Sequence, residues 1–201
     1  IGGSWRIADT ILPKIRAAGG EVFTYARVKQ ILVEQGKTQG VLMEDGTRID
    51  CACVVSSAGV VNTFEHLLPA TEVARAGYDK LLPKVSPSTA HLGVYIGLKQ
   101  TAQALGLPKT NFWIYPSNDY DGVLQRFMDD KDAPFPIVYI SFPSAKDPDF
   151  ERRYPGKATV EIVAPCAYAW FEKWEATIWG KRGDDYESVK AQWGERLMAV
   201  L

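Results

Sequence analysis

The sequence predicts an α/β (α+β) fold in which helices cover mixed, largely antiparallel sheets. Three observations point there. Apolar runs of strand length recur along the chain, with short amphipathic runs between them. Their order has no repeated strand–helix–strand spacing, which argues against a purely parallel sheet. The segment Glu44-Asp45-Gly46-Thr47 places a glycine in a tight turn between two such runs, a hairpin signal.

The elements follow in order. Ser4 is placed to cap a helix whose apolar stripe is Ile7, Ile11, Ile15 and Ala18. Pro13 loosens one of its turns, and Gly19-Gly20 ends it, because glycine takes the left-handed C-terminal position without strain. Glu21 to Tyr25 reads as a short strand. Val28 to Glu34 is a second, followed by a turn at Gln35-Gly36-Lys37. Gly40 to Met43 and Arg48 to Asp50 form the hairpin, and Cys51 to Ser57 reads as a buried strand running into Ser57-Ala58-Gly59.

A second unit starts near Ala70, with the Pro-rich stretch Leu82 to Ser88 as a crossing segment. Thr89 to Lys99 reads as a long strand with Leu92, Val94, Ile96 and Leu98 on one face. Asn111 to Tyr115, Ile137 to Phe142 and Ala158 to Val163 are further strands. Tyr120 to Met128 reads as a short helix with Val123, Leu124 and Phe127 apolar. Trp170, Phe171, Trp174 and Ile178 form a helical stripe, as do Tyr186, Val189, Trp193 and Leu197, the latter opened by Asp184 and Glu187 at capping-box spacing.

Composition excludes several classes. Lys plus Arg is 23 against 24 Asp plus Glu, a net charge of −1, so there is no basic footprint for nucleic acid. Apolar runs such as Leu92 to Leu98 fall well short of the roughly 20 residues of a membrane-spanning helix. Three cysteines do not make a disulfide scaffold and suit a reducing compartment. The chain opens at Ile1 and stops at Leu201 inside an amphipathic pattern, and is read as a piece of a longer protein.

Candidate chemistry is sparse. A G-x-G-x-x-G fingerprint is absent; Gly2-Gly3 before a helix suits either a phosphate approach or a plain loop. Cys51 and Cys53 share a strand face, but no second ligand pair completes a zinc site, so core thiols are expected, and Cys166 stands alone. His66 and His91 are the only histidines, and neither joins a Ser/His/Asp or Cys/His set; structural roles are expected. Six Trp, nine Tyr and eight Phe suit either core packing or a wide apolar pocket. Ser144 to Asp149 reads as a turn, and Glu151-Arg152-Arg153 and Lys181-Arg182 as solvated charges.

Two sets of motifs carry a resemblance. Gly2-Gly3, Gly19-Gly20-Glu21-Val22, Val28-x-x-Ile31, Gly40-Val41, Asp45-Gly46 and Val54-Val55-Ser56-Ser57-Ala58-Gly59 resemble flavin-dependent amine-oxidase-like and phytoene-desaturase-like oxidoreductases. Asn62-Thr63-x-Glu65-His66-Leu67-Leu68-Pro69, Phe142-Pro143-Ser144-Ala145-Lys146-Asp147-Pro148, Ala167-Tyr168-x-Trp170-Phe171-x-x-Trp174 and Gly180-Lys181-Arg182-Gly183-x-Asp185-Tyr186-Glu187 resemble the retinol saturase (all-trans-retinol 13,14-reductase) family.

The resemblance implies a split FAD-binding domain of glutathione-reductase/amine-oxidase type. Residues 1–69 would supply its middle, without the N-terminal βαβ unit, and residues 70–201 most of a substrate domain. It implies FAD, with NAD(P)H as a candidate electron donor. Val28 would offer its backbone to the adenine edge, Arg27 would lie near the adenosine pole, and Ala58 and Gly59 would pass close to the cofactor. The strands at Leu92–Leu98, Asn111–Tyr115 and Ile137–Phe142 would wall a tunnel for a hydrophobic small molecule.

The implied activity is saturation or desaturation of carbon–carbon bonds in a retinoid- or carotenoid-like polyene. No catalytic triad is needed, because the flavin carries the hard step. No nucleic-acid partner is implied, and peripheral membrane association of the longer protein is an expectation from its lipid-borne substrate. The isolated piece is expected to carry no flavin. The rival readings are a non-catalytic module binding an apolar ligand and an amine-oxidase relative with an aromatic cage.

Overall fold

The computed structural model describes residues 3–85 and 88–201. Contacts divide the chain into two units, Asp9–Pro87 and Ile1–Ala8 with Ser88–Leu201. Gly2 of the Gly2-Gly3 pair and Ser86 and Pro87 of the Pro-rich stretch lie outside the described residues.

Helix α1 (Trp5–Ala17) ends as its glycines dictate. Gly19 sits at φ 81°, its N–H donates to the Arg16 carbonyl, and the Gly20 N–H reaches back to the Ile15 carbonyl. That pair of bonds is a Schellman close, which satisfies carbonyls the helix would otherwise leave open. The helix tolerates Pro13 without interruption, and none of its residues is buried.

Strands β1 (Val28–Glu34), β2 (Lys37–Met43) and β3 (Arg48–Asp50) form an antiparallel meander in the order β1-β2-β3. The first turn is Gln35-Gly36, with φ 48° and 73°, the two positive values of a type I′ hairpin. The second is closed by the Met43 N–H on the Thr47 carbonyl, with Gly46 at φ 88°. At Gly40 (φ 149°) a Cβ would stand 2.1 Å from the Ile49 carbonyl oxygen, so β2 and β3 close only around a residue without a side chain.

Two strands expected in this unit do not form. Glu21 to Tyr25 is irregular, with Phe23 and Tyr25 exposed and Tyr25 at φ 57°. Cys51 to Ser57 is irregular, and no described strand takes up its backbone beyond the Cys51 N–H bond to the Gln39 carbonyl. Cys53 is therefore exposed and Cys51 half-buried, not core thiols. A π-helical turn, Asn62–Leu67, and α2 (Ala70–Arg75) follow where no element was expected.

The second unit is built on a four-stranded antiparallel sheet in the order β4-β7-β6-β5, comprising β4 (Ala90–Leu98), β5 (Phe112–Ile114), β6 (Val138–Ser141) and β7 (Ala158–Cys166). Both described sheets are wholly antiparallel. Period two sorts the sheet's faces. Val138, Ile140, Val160, Ile162 and Ala164 are buried on one face with Leu197 of helix α6 (Asp184–Met198), and Leu92, Val94, Ile96 and Leu98 pack against that cluster.

Helix α3 (Tyr120–Asp129) is capped by Asp119, whose carboxylate accepts the Gly122 N–H. It buries Val123 and Phe127 but leaves Leu124 exposed. Phe127, Phe135, Trp170 and Trp193 form an aromatic cluster, with Trp170 and Trp193 stacked at 5.4 Å.

Several local expectations are corrected here. Ser144 to Asp149 opens with α4 (Pro143–Lys146), in which Ser144 is buried and accepts the Thr159 N–H at 2.9 Å. Arg153, at the end of α5 (Phe150–Arg153), is held by Asp147 and half-buried, not solvated. The stripe at Trp170 to Ile178 is a 3-10 helix over Tyr168–Trp174 that ends four residues before Ile178, which is left exposed in the irregular segment that follows. Helix α6 is opened by Gly183 at φ 87°, with no side-chain cap. Asp185, not Asp184, is the engaged acid: it accepts from Trp174 Nε1 and Lys173 Nζ, which hold its carboxyl below the usual range.

Candidate functional site

The residues singled out for cofactor binding lie in the Asp9–Pro87 unit. Val28 begins β1, an edge strand of the meander. The Arg27 carbonyl accepts the Glu44 N–H at 2.9 Å. Backbone groups of successive residues in an antiparallel strand point alternately toward the partner and away. Those of Val28 therefore face the open edge of β1. A bulge between Val28 and Gln30 follows directly and twists the strand there.

The irregular segment Val54 to Ala58 lines the same cavity as the start of β1. It is held by small polar contacts: Ser56 Oγ lies 2.7 Å from Thr63 Oγ1, and Asn62 Nδ2 donates to the Ala58 carbonyl at 2.9 Å. The Thr63 N–H donates to the Gly59 carbonyl at 3.0 Å, which seats the π-helical turn after the small residues.

Between the two segments is a cavity of about 630 Å³. Arg27, Val28 and Ala58 line it together with Lys29, Glu44, Val54, Ser56, Asn62 and His66. Three of the four predicted residues are thus brought to one cavity. Gly59 adjoins Ala58 without lining it; its φ of 90° is the backbone reason for glycine, since an added Cβ would meet nothing within 4 Å. Arg27 lies 3.9 Å from Glu44 and is largely exposed. Lys29, Ser56, Asn62 and His66 were not singled out as site residues. Asn62 and His66 come into reach through the π-helical turn, which no periodicity announces.

The cavity joins an open strand edge, with free backbone donor and acceptor groups, to the small apolar residues Val54 and Ala58 and the two cations Arg27 and Lys29. Elsewhere, Cys166 is buried and its thiol is pushed up to about 11 by desolvation. Among the described residues no group of His, Cys, Asp or Glu could hold a metal ion, and no helix is long and apolar enough to cross a membrane.

Comparison with known proteins follows the same direction. The chain is 41% identical over 99% of its length to all-trans-retinol 13,14-reductase of Macaca fascicularis, and covers 34% of that protein. It is 24% identical over 83% of its length to phytoene desaturase of Fusarium fujikuroi. The crystal structure of an oxidoreductase from Methanosarcina mazei superposes with a TM-score of 0.61 over 87% of this chain at 21% identity, a likeness of fold. No family model matches. The chain spans about a third of the length of the curated relatives it matches.

Proposed function

This chain is a homologue of the all-trans-retinol 13,14-reductases, and on that premise we propose that it forms part of an FAD-dependent oxidoreductase acting on carbon–carbon double bonds of a retinoid- or carotenoid-like polyene. The observation that carries the reading is the convergence of Arg27, Val28 and Ala58 on one cavity in a chain with these relatives.

The chain supplies part of a split FAD-binding domain within residues 1–69 and part of a substrate domain within residues 70–201. Val28 offers its N–H and C=O to the adenine edge. Arg27 stands toward the adenosine. Ala58 and Gly59 keep side-chain bulk away from the cofactor. FAD, when bound, supplies the hydride or electron-pair carrier that side chains lack, with NAD(P)H as the candidate donor.

The substrate wall belongs to the sheet face left free of the core. Leu92, Val94, Ile96 and Leu98 are partly buried on the face that carries the core. The opposite face presents Gly93, Val163, Tyr139 and Trp113 in register across the four strands, with Trp113 and Tyr139 rings 4.7 Å apart. An aromatic and aliphatic row of this kind suits an extended apolar molecule and excludes water from it.

Flavin absorbance tests the reading. The full-length protein should bind FAD one to one, and Ala58→Leu, which fills the cavity floor, should weaken that binding at least tenfold. The 201-residue chain alone should remain colourless. A full-length protein that stays colourless after reconstitution with FAD would replace this reading with a non-catalytic apolar-ligand module.

A further inference from the structure

We propose that a second cavity, in the Ser88–Leu201 unit, binds an amphiphile with a carboxylate head and an apolar chain. This site is separate from the Arg27–Val28–Ala58 cavity. The groove runs along the outer edge of β4 beneath α6 and has a volume of about 660 Å³, within the usual range for small-molecule sites. Its walls are apolar along most of its length, with Leu92 and Val94 from β4, Phe171 from the 3-10 turn and Leu197 from α6.

Its polar end is Arg182. The Arg182 Nη1 donates to the Tyr186 hydroxyl at 3.1 Å, and the guanidinium lies 4.9 Å from the Tyr186 ring. Among the described residues no carboxylate stands within ion-pair distance of Arg182, and its Nε is buried without a hydrogen-bond partner. A guanidinium is charged at every relevant pH and leaves part of its fork without an acceptor here. Of the other charges lining the groove, Glu187 and Lys190 pair with each other at 3.2 Å.

A guanidinium without an ion-pair partner at the end of an apolar groove matches one negative charge on an apolar ligand. A planar carboxylate suits the guanidinium fork. The Tyr186 oxygen accepts from Arg182, which leaves its own O–H free to donate to the same carboxylate. Burial raises the Tyr168 phenol and Glu175 adds to that rise, while Arg182 acts on it in the opposite sense.

Isothermal titration of the full-length protein with dodecanoate and with dodecan-1-ol tests the site. Dodecanoate should bind one to one, at least tenfold tighter than the alcohol. Arg182→Gln should abolish that preference, and Arg182→Lys should retain part of it. Gly194→Leu provides a variant safe for folding. Gly194 lines the groove from within α6, a Cβ there would meet nothing within 4 Å, and leucine is the better helix former. It should remove binding of both ligands. Equal affinities for the two ligands, a preference that survives Arg182→Gln, or no binding of either would overturn the proposal. None of these outcomes bears on flavin binding, which is read by absorbance at the other cavity.

Discussion

Phe127 offers the sharpest test of how the second unit is held together. It is fully buried, and its ring meets Phe135 at 5.5 Å, Trp170 edge-on at 5.3 Å and Trp193 edge-on at 6.2 Å. Phe127→Ala removes the buried ring and opens a cavity among three large neighbours that are themselves stacked or wedged. Such truncations destabilise by roughly 3–5 kcal/mol, and lost edge-to-face pairs place this one near the upper end. With a urea slope of about 2 kcal/mol per molar, the unfolding midpoint should fall by ~2 M. Leu124→Ala is the matched control: it lies in the same helix but is 38% exposed, and should cost under about 1 kcal/mol. Urea titrations followed by circular dichroism measure both. Midpoint shifts of equal size would refute the claim that the aromatic cluster, and not helix propensity, stabilises α3.

Other outcomes follow from single positions. Gly40→Ala places a Cβ against the Ile49 carbonyl in a backbone conformation that alanine resists, and should destabilise the meander by about 2–5 kcal/mol, read by hydrogen exchange at β2 and β3. Ser144→Ala leaves the Thr159 N–H without its acceptor and should lower stability by about 1–3 kcal/mol in a thermal melt. At pH 8 a thiol reagent should label Cys53 quickly and Cys166 only on unfolding, which mass spectrometry resolves. Burial raises the Cys166 thiol in the folded state, so the folded protein holds that proton more tightly than the unfolded chain. Stability from this group is complete below pH 9 and declines by about 2–3 kcal/mol as pH rises toward 11, a loss that Cys166→Ala should abolish.

The parts of the fold legible in the sequence are those whose reasons are local. Val28 to Glu34, the Asp45-Gly46 turn and the Gly19 helix end announce themselves by period two or by a glycine where φ must be positive. The long β4 strand, and the stripe from Tyr186 to Leu197, were equally plain. The misses share a different cause. Cys51 to Ser57 carries a strand's composition, but a strand exists only when a neighbour takes its hydrogen bonds. The π-helical turn at Asn62–Leu67 has no periodic signature. Asp184 and Glu187 have the right spacing for a capping box, yet Asp185 is drawn to Trp174 and Lys173, a pairing between residues 11 and 12 apart in sequence. For the candidate site, Arg27, Val28 and Ala58 came from a family resemblance, and the structure brings them to one cavity. The Arg182 groove was invisible, because an unpaired cation is defined by what surrounds it.

The strand order β4-β7-β6-β5 also has a consequence in time. Among the described residues the sheet neighbour of β4 is β7, and the nearest pairing joins Leu98 to Ala158, about 60 residues later. At roughly 5–20 residues per second a ribosome needs on the order of 3–12 s to deliver that partner. For that interval Leu92, Val94, Ile96 and Leu98 emerge without the strand that shelters them, while the Gln35-Gly36 hairpin, closed by adjacent residues, is long since formed. Within this chain, the span between the emergence of residue 98 and that of residue 166 is thus when β4 most needs a chaperone.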